Sequence, residues 1–206
     1  MAENAVVCVV DDDEAVRESL QVLLETMDYA VKGYESGVSF LDDCKTLNAG
    51  CVLLDVRMPQ MSGLEVQQRL NTERPDLPVV IVTGHGDVPM AVQAMQAGAV
   101  DFIEKPFEED ALLASVENAF SIAEQTHKKE QVSATIHEKL RLLTPREREV
   151  FDQLILGHAN KVVARALDCS PRTVEIHRAR IMEKMDATSV AHLVRMALEV
   201  GIEIES

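Results

Sequence analysis

Four short apolar runs each end in a residue able to do polar chemistry. The run within VLLDVRMP, residues 52–59, stops at the carboxylate of Asp55. AVVCVV at 5–10 stops at Asp11, Asp12 and Asp13, VVIVTG at 79–84 ends in the hydroxyl of Thr83, and VDFIEKP at 100–106 ends in the amine of Lys105. Apolar runs of this length, closed by turn signals, read as buried strands. In an open α/β sheet, ligands bind just beyond the carboxyl ends of such strands. Three or more carboxylates cannot share a pocket ionised without a counter-charge. A hard divalent cation resolves the conflict, and oxygen ligands with retained waters suit Mg2+. The ion would shield the charge of an incoming phosphoryl group. Lys105 and Thr83 would hold the remaining oxygens, and Asp55 would attack phosphorus in line to give an aspartyl phosphate. Acids after a strand also cap helices, and Asp13 is expected to do so here. The joint pattern at four strand ends favours a reactive site.

The elements that must position these groups alternate. Strand 5–10 precedes a helix at about 13–27, whose Val16, Leu20, Leu23, Leu24 and Met27 form an apolar stripe. Strand 30–34 precedes a helix at about 36–45, strand 51–54 one at about 63–73, strand 79–83 one at about 88–97, and strand 101–104 one starting near 108. Five βα units with short connections predict a doubly wound parallel sheet covered on both faces. Asp11 and Asp55 meet only if the first and third strands are neighbours, as at the switch point of a flavodoxin-like sheet.

Composition divides the chain further. The net charge is −15 over 206 residues, but residues 1–125 hold 7 basic and 23 acidic side chains (−16), and residues 126–206 hold 13 basic and 12 acidic (+1). Residues 161–184 alone carry +3. Only the second half has charge suited to nucleic acid. No apolar run approaches a membrane span, and no secretory signal opens the chain, so a cytoplasmic protein without membrane contact is expected. Cys8, Cys44, Cys51 and Cys169 lack metal-ligand spacing and suit a reducing compartment, with packing as their expected role.

The second half reads as all helical. Thr144, Pro145 and Glu147 form a capping box ahead of a helix that carries Val150, Phe151, Leu154 and Ile155 and ends near Gly157. Asn160 is expected to cap a short helix to about Leu167. Ser170 caps the next, with Pro171 at its first position, running to about Met185, and a last helix covers about Ser189 to Val200. A short helix, a tight turn and a second helix match a helix-turn-helix. With Val174 pointing inward, Ile181 and Met185 fall within about 20° of it, given the helical period. Arg172, Ile176, Ala179, Arg180 and Glu183 then face outward. Isoleucine and alanine exposed between arginines suit a major groove, where arginines reach guanine edges or phosphates and apolar groups meet thymine methyls. Ser170 and Thr173 sit where a phosphate is favoured. Lys161 is placed to hold the backbone, Glu175 to accept from a cytosine amine or pair with Lys or Arg, and Arg178, near the buried flank, to reach a phosphate or make a contact within the protein. The plainer reading is a helical bundle with a charged surface.

The quoted motifs carry a family resemblance. VVDDDEAVR, LLDVRMPQMSG, VTGHGD and AMQAGAVDFIEKPFEED resemble a response-regulator receiver over about 1–120. By that resemblance Asp55 is the phosphoacceptor, served by a sensor histidine kinase. Asp11 and Asp12 match the acidic pair, with Asp12 a direct Mg2+ ligand and the Arg57 carbonyl a further one. Thr83 and Phe102 match the switch positions, and Lys105 the phosphate-binding lysine before a proline typically cis. Phe102 stands where many receivers have tyrosine. TPREREV, NKVVARALDCSPRTVEIHRARIMEKM and HLVRMALEVGI resemble a LuxR-type output domain of the NarL/FixJ subfamily. Joined to this receiver, they most resemble the FixJ type. That type implies a receiver that masks its output domain until phosphorylation, then dimerises through the fourth helix and fifth strand. It also implies two-half-site promoter DNA, RNA polymerase as partner, activation as the commoner output, and an oxygen-sensing kinase. Cys169 stands where an apolar residue is usual, so core packing is expected of it, and redox sensing is the second reading.

The expected organisation is therefore a receiver over 1–121, a frayed helix and linker over 122–138, and a four-helix, helix-turn-helix DNA-binding domain over 139–206. For the linker, plain extension of the preceding helix competes equally. The expected function is a phosphorylation-activated transcriptional regulator, not an enzyme. A Mg2+-dependent phosphatase using Asp55 would need a second acid two residues on, where Arg57 stands. An adaptor that binds only protein would leave the outward arginines and Ile176 unexplained.

Overall fold

The computed structural model describes residues 6–47, 50–84 and 86–204. Contacts divide the chain into two units, residues 1–128 and 129–206. In the first, β1 (Val6–Val10), β2 (Ala30–Tyr34), β3 (Cys51–Leu54), β4 (Val79–Thr83) and β5 (Asp101–Glu104) form one parallel sheet in the order β2-β1-β3-β4-β5. This is the flavodoxin-like doubly wound order. Ala5, expected in the first strand, lies outside the described residues.

Alternation along the strands sorts the core into two layers. Val7, Val9, Leu53, Val80 and Val82 pack on one face with Leu20 and Leu24 of α1 (Glu14–Thr26) and Leu112, Val116 and Ala119 of α5 (Glu109–Arg141). Cys8, Val10, Val52, Leu54 and Ile81 pack on the other with Phe40 of α2 (Gly37–Asp43), Val66 and Leu70 of α3 (Gly63–Glu73), and Ala94 of α4 (Val88–Gln96). Side-chain caps begin these helices. Asp13 accepts from the Ala15 N–H, Asp87 from that of Met90, and Ser62 with Glu65 completes a capping box on α3.

The stretch 122–138 is helical throughout, because α5 continues unbroken to Arg141. No glycine or proline occurs between Pro106 and Pro145, and a Glu124–Lys128 pair one turn apart supports the exposed middle. The stretch is thus an extension of the preceding helix, the reading that competed equally with a linker.

The second unit packs the end of α5 with α6 (Pro145–Ile155), α7 (Asn160–Ala166), α8 (Pro171–Met185) and α9 (Val190–Glu199). Its core joins Ile136 and Leu140 to Val150, Phe151, Leu154, Val163, Val174, Ile181, Met185 and Leu193. Asn160 does not cap α7. Ala159 holds the cap position without a side-chain bond, and Asn160 is the first helical residue. Glu147 ties two helices together. Its Oε2 accepts from the Thr144 N–H at 2.9 Å and from Lys184 Nζ at 2.6 Å. The Lys184 ammonium, then the Thr144 N–H, holds the Glu147 carboxyl down to about 2.

A carboxyl held below its unfolded value stabilises the fold above that value and loses this contribution as pH falls through the folded one. The second unit is therefore expected to weaken as pH drops from about 4.5 towards about 2. Glu147→Ala should cost roughly 1–3 kcal/mol. Both tyrosines, Tyr29 and Tyr34, lie in the first unit, so the loss should show in helical circular dichroism without a matching change in tyrosine fluorescence. An unchanged helical transition would refute this role.

Candidate functional site

The register brings the acids together. Val10 pairs with Leu54, so the chains leave β1 and β3 side by side at Asp11 and Asp55, and the Asp55 N–H donates to the Val10 carbonyl at 2.9 Å. Both aspartates are buried, at 4% and 7% exposure. Lys105, just past β5, places Nζ 2.5 Å from Asp11 Oδ2 and 3.3 Å from Asp55 Oδ1. The Lys105–Pro106 bond is cis. One ammonium thus serves two buried carboxylates. Burial pushes the Asp55 carboxyl above its usual range, Lys105 opposes this, and Asp11 adds to it.

Close packing fixes the remaining parts. The Arg57 N–H donates to Asp55 Oδ2 at 2.6 Å. Gly63, opening α3, donates to the Val56 carbonyl at 2.9 Å, and a Cβ there would lie 2.1 Å from the Asp55 carbonyl oxygen. Only glycine fits that approach. The Asp11 carboxylate accepts from the Asp13 N–H at 2.9 Å, and Arg17 Nη1 donates to the Asp11 carbonyl at 2.8 Å. Arg17 escaped the sequence reading. Its position, one turn after the cap Asp13, is the signal that could have found it.

Thr83 is buried at the end of β4, and the Lys105 N–H donates to its carbonyl at 2.8 Å. Phe102 is half-buried against the core layer of α2–α4, and a Cβ on Gly86 would meet its ring at 3.0 Å. Asp12 is exposed and is not drawn into the Asp11–Asp55–Lys105 group. Among the described residues no three acid, imidazole or thiol side chains form a ready metal cage. The donor set that is present, two buried carboxylates sharing one ammonium, is all oxygen and over-negative. It fits Mg2+, which takes one or two carboxylates and keeps several waters.

In the second unit, Val174, Ile181 and Met185 are buried, while Arg172, Glu175, Ile176, Ala179 and Arg180 are exposed. Arg178 and Thr173 are intermediate, and Lys161 is exposed on α7. One α8 surface therefore presents two arginines, an isoleucine at 48% exposure and an alanine. Ser170 Oγ accepts from the Thr173 N–H at 3.1 Å and lies 2.8 Å from the Thr173 hydroxyl, so the two hydroxyls serve the helix start and each other. Cys169 is half-buried against the second unit's core. His177, also on α8, keeps a buried Nδ1 without a hydrogen-bond partner.

The switch-point acids with their lysine define a receiver, and α7–α8 a helix-turn-helix output. Comparison agrees with both halves. The response regulator receiver domain family matches residues 7–117, and the luxR family of bacterial regulatory proteins matches residues 141–197. The chain belongs to the response regulators. More narrowly, it is a FixJ- and TodT-like transcriptional response regulator. It is 46% identical to the transcriptional regulatory protein FixJ of Bradyrhizobium diazoefficiens over 202 residues, covering 98% of each. It is 41% identical to the response regulator protein TodT of Pseudomonas putida, covering 100% of this chain and 91% of that one. The solved structure of the response regulator StyR is similar at a TM-score of 0.82 with 38% identity, covering 95% of this chain and 99% of that one. Full-length FixJ from B. japonicum gives 0.59 with 45% identity, covering 98% and 100%. Such regulators work with a histidine kinase and bind DNA, and receivers generally use Mg2+ in phosphorylation. Among the described residues no helix is long and apolar enough to cross a membrane.

The raised Asp55 carboxyl carries a stability consequence. Between its unfolded and its raised folded value, the native state holds the extra proton, so stability falls as pH climbs through that window and stays lower above it. In metal-free buffer at neutral pH, Asp55→Asn should raise the temperature at which tyrosine fluorescence reports unfolding. A lower midpoint would show that the carboxylate stabilises the site.

Proposed function

We propose that a sensor histidine kinase transfers its phosphoryl group to Asp55. The ammonium of Lys105 between Asp11 and Asp55 carries this reading, because it marks where an added phosphoryl oxygen would be held. An Asp55 carboxylate oxygen forms the new P–O bond as the P–N bond to the kinase histidine breaks, and the leaving imidazole takes up a proton. The Arg57 N–H, 2.6 Å from Oδ2, orients the nucleophile, and Gly63 leaves room for that turn. Asp11, Asp12 and Asp55 with the Arg57 carbonyl would hold Mg2+, which supplies charge neutralisation to the transferring group. Arg17 secures the turn that carries the acidic pair by binding the Asp11 carbonyl.

In this reading Thr83 and Phe102 relay the change to the 88–110 surface. The receiver spans 1–121 and the DNA-binding domain 139–206, with the intervening α5 segment joining them. Phosphorylation releases the output domain and favours a dimer, which binds two half-sites of promoter DNA in the cytoplasm and acts on RNA polymerase, as an activator. On α8, Arg172, Ile176, Ala179 and Arg180 read bases. Lys161, Ser170, Thr173 and Arg178 hold the backbone, and Glu175 accepts from a base or pairs within the protein. The exposure of Ile176 and Ala179 between arginines supports this face.

Incubation with acetyl phosphate and Mg2+, followed by intact mass, tests the acid site. Wild type should gain one phosphoryl group and Asp55→Asn none, and equal modification of both would reject Asp55. On a selected operator, Arg172→Ala or Ile176→Ala should cost about 1–3 kcal/mol and relax preference at one base pair. Lys161→Ala should weaken all duplexes alike and flatten the salt dependence. Specific loss from Lys161→Ala, or none from Arg172→Ala, would overturn the assignment of the face.

A further inference from the structure

Helix α4 is thinly held. Of its nine residues only Ala94 is buried, while Val88, Val92 and Met95 are 77%, 48% and 47% exposed. A helix with so little apolar burial needs other attachments, or it opens locally. Met90, near its start, packs partly buried against the core, but the side-chain hydrogen bonds that tie the helix to α3 gather at its far end. Gln67 of α3 is fully buried, and its Nε2 donates to the Ala94 carbonyl at 3.0 Å. Asn71, one turn further along α3, donates through Nδ2 to the Ala97 carbonyl at 2.6 Å. These carbonyls belong to the last turn; that of Ala94 also accepts from the Ala99 N–H at 3.0 Å, so the Gln67 bond adds a tie to α3 that the backbone alone does not make. Gly98 then ends the helix at φ +89°, a conformation that favours glycine, and its N–H donates to the Met95 carbonyl.

A second observation marks the same clasp. Gln67 Oε1 is buried with no hydrogen-bond partner. An orphaned buried acceptor carries a cost and calls for a reason. A leucine or methionine would fill that space without the orphan. What only the amide supplies is the donor to Ala94, so the orphan is tolerated for the sake of that bond.

We infer that Gln67 and Asn71 anchor the C-terminal turn of α4 to α3, so that α4 opens and pivots from its N-terminal end. That end bears Val88 and Val92 and follows the Thr83 connection. Movement there remodels the exposed surface while the far end stays fixed. Gln67 and Asn71 are positioning residues, remote from the phosphoryl chemistry. The inference is independent of whether Asp55 is phosphorylated.

Amide hydrogen exchange on the intact, unphosphorylated chain tests this. In wild type, the Ala97 and Ala99 N–H groups should exchange more slowly than those of Ala91 and Val92, despite lying at the helix end. Asn71→Ala changes an exposed residue and Gln67→Met keeps the buried volume. Each should speed exchange at Ala97 and Ala99 about tenfold or more, erasing the gradient. Exchange at Leu53 and Val80 in the sheet should stay unchanged, a pattern that general loss of stability would not give. Uniform exchange along α4 in wild type, or a gradient that survives both substitutions, overturns the anchor.

Discussion

The first unit depends on a charge imbalance. Two carboxylates leave adjacent strands within a buried space, and one ammonium, from a third strand end, stands between them. The strand order makes the meeting unavoidable, because β1 and β3 are neighbours where the winding reverses. Apolar layers on both faces hold those strands in register, so the acids cannot separate to relieve their repulsion. Burial first, and the Asp11 charge after it, raise the Asp55 carboxyl against the opposing pull of Lys105. A site kept over-negative by its own fold is what supports the proposal of a cation and a phosphoryl group there. The same crowding explains Gly63, whose missing side chain lets the turn after Asp55 close.

Much of this was legible in residue order. Apolar runs ending in Asp11, Asp55, Thr83 and Lys105 point to strand ends, and five repeats of the pattern point to a parallel sheet. The inward stripe of Val174, Ile181 and Met185 follows from the helical period, and burial agrees. Other features needed three dimensions. Arg17, Gln67 and Asn71 act on backbone carbonyls, a use of a side chain that no spacing rule announces. Asp12 matches a motif position yet lies exposed, because a turn presents neighbouring carboxylates in different directions. Asn160 looked like a cap, but the chain turns one residue earlier, at Ala159. The 122–138 segment is polar and charged, which suits a linker and an exposed helix equally. The absence of glycine and proline decides for the helix.

The second unit rests on different physics. Its helices share one apolar core, and a buried Glu147 joins the start of α6 to Lys184 near the end of α8. That bond braces the helix whose opposite surface carries Arg172, Ile176, Ala179 and Arg180. The two units also differ in charge, since the chain's whole negative excess lies in the first and the second is close to neutral. The acidic receiver lowers the electrostatic attraction of the whole chain to DNA. Regulation then has something to work on. In the proposed reading, a change at the acid site need only shift the balance between two states of the output domain.

Sedimentation and operator affinity of the intact wild-type chain, measured in the same buffer before and after stoichiometric phosphorylation, test the central claim most directly. The account predicts a shift from monomer to dimer with tighter, sequence-selective binding to a duplex carrying two half-sites. A fully phosphorylated chain that stays monomeric and binds the operator no better than before would contradict it.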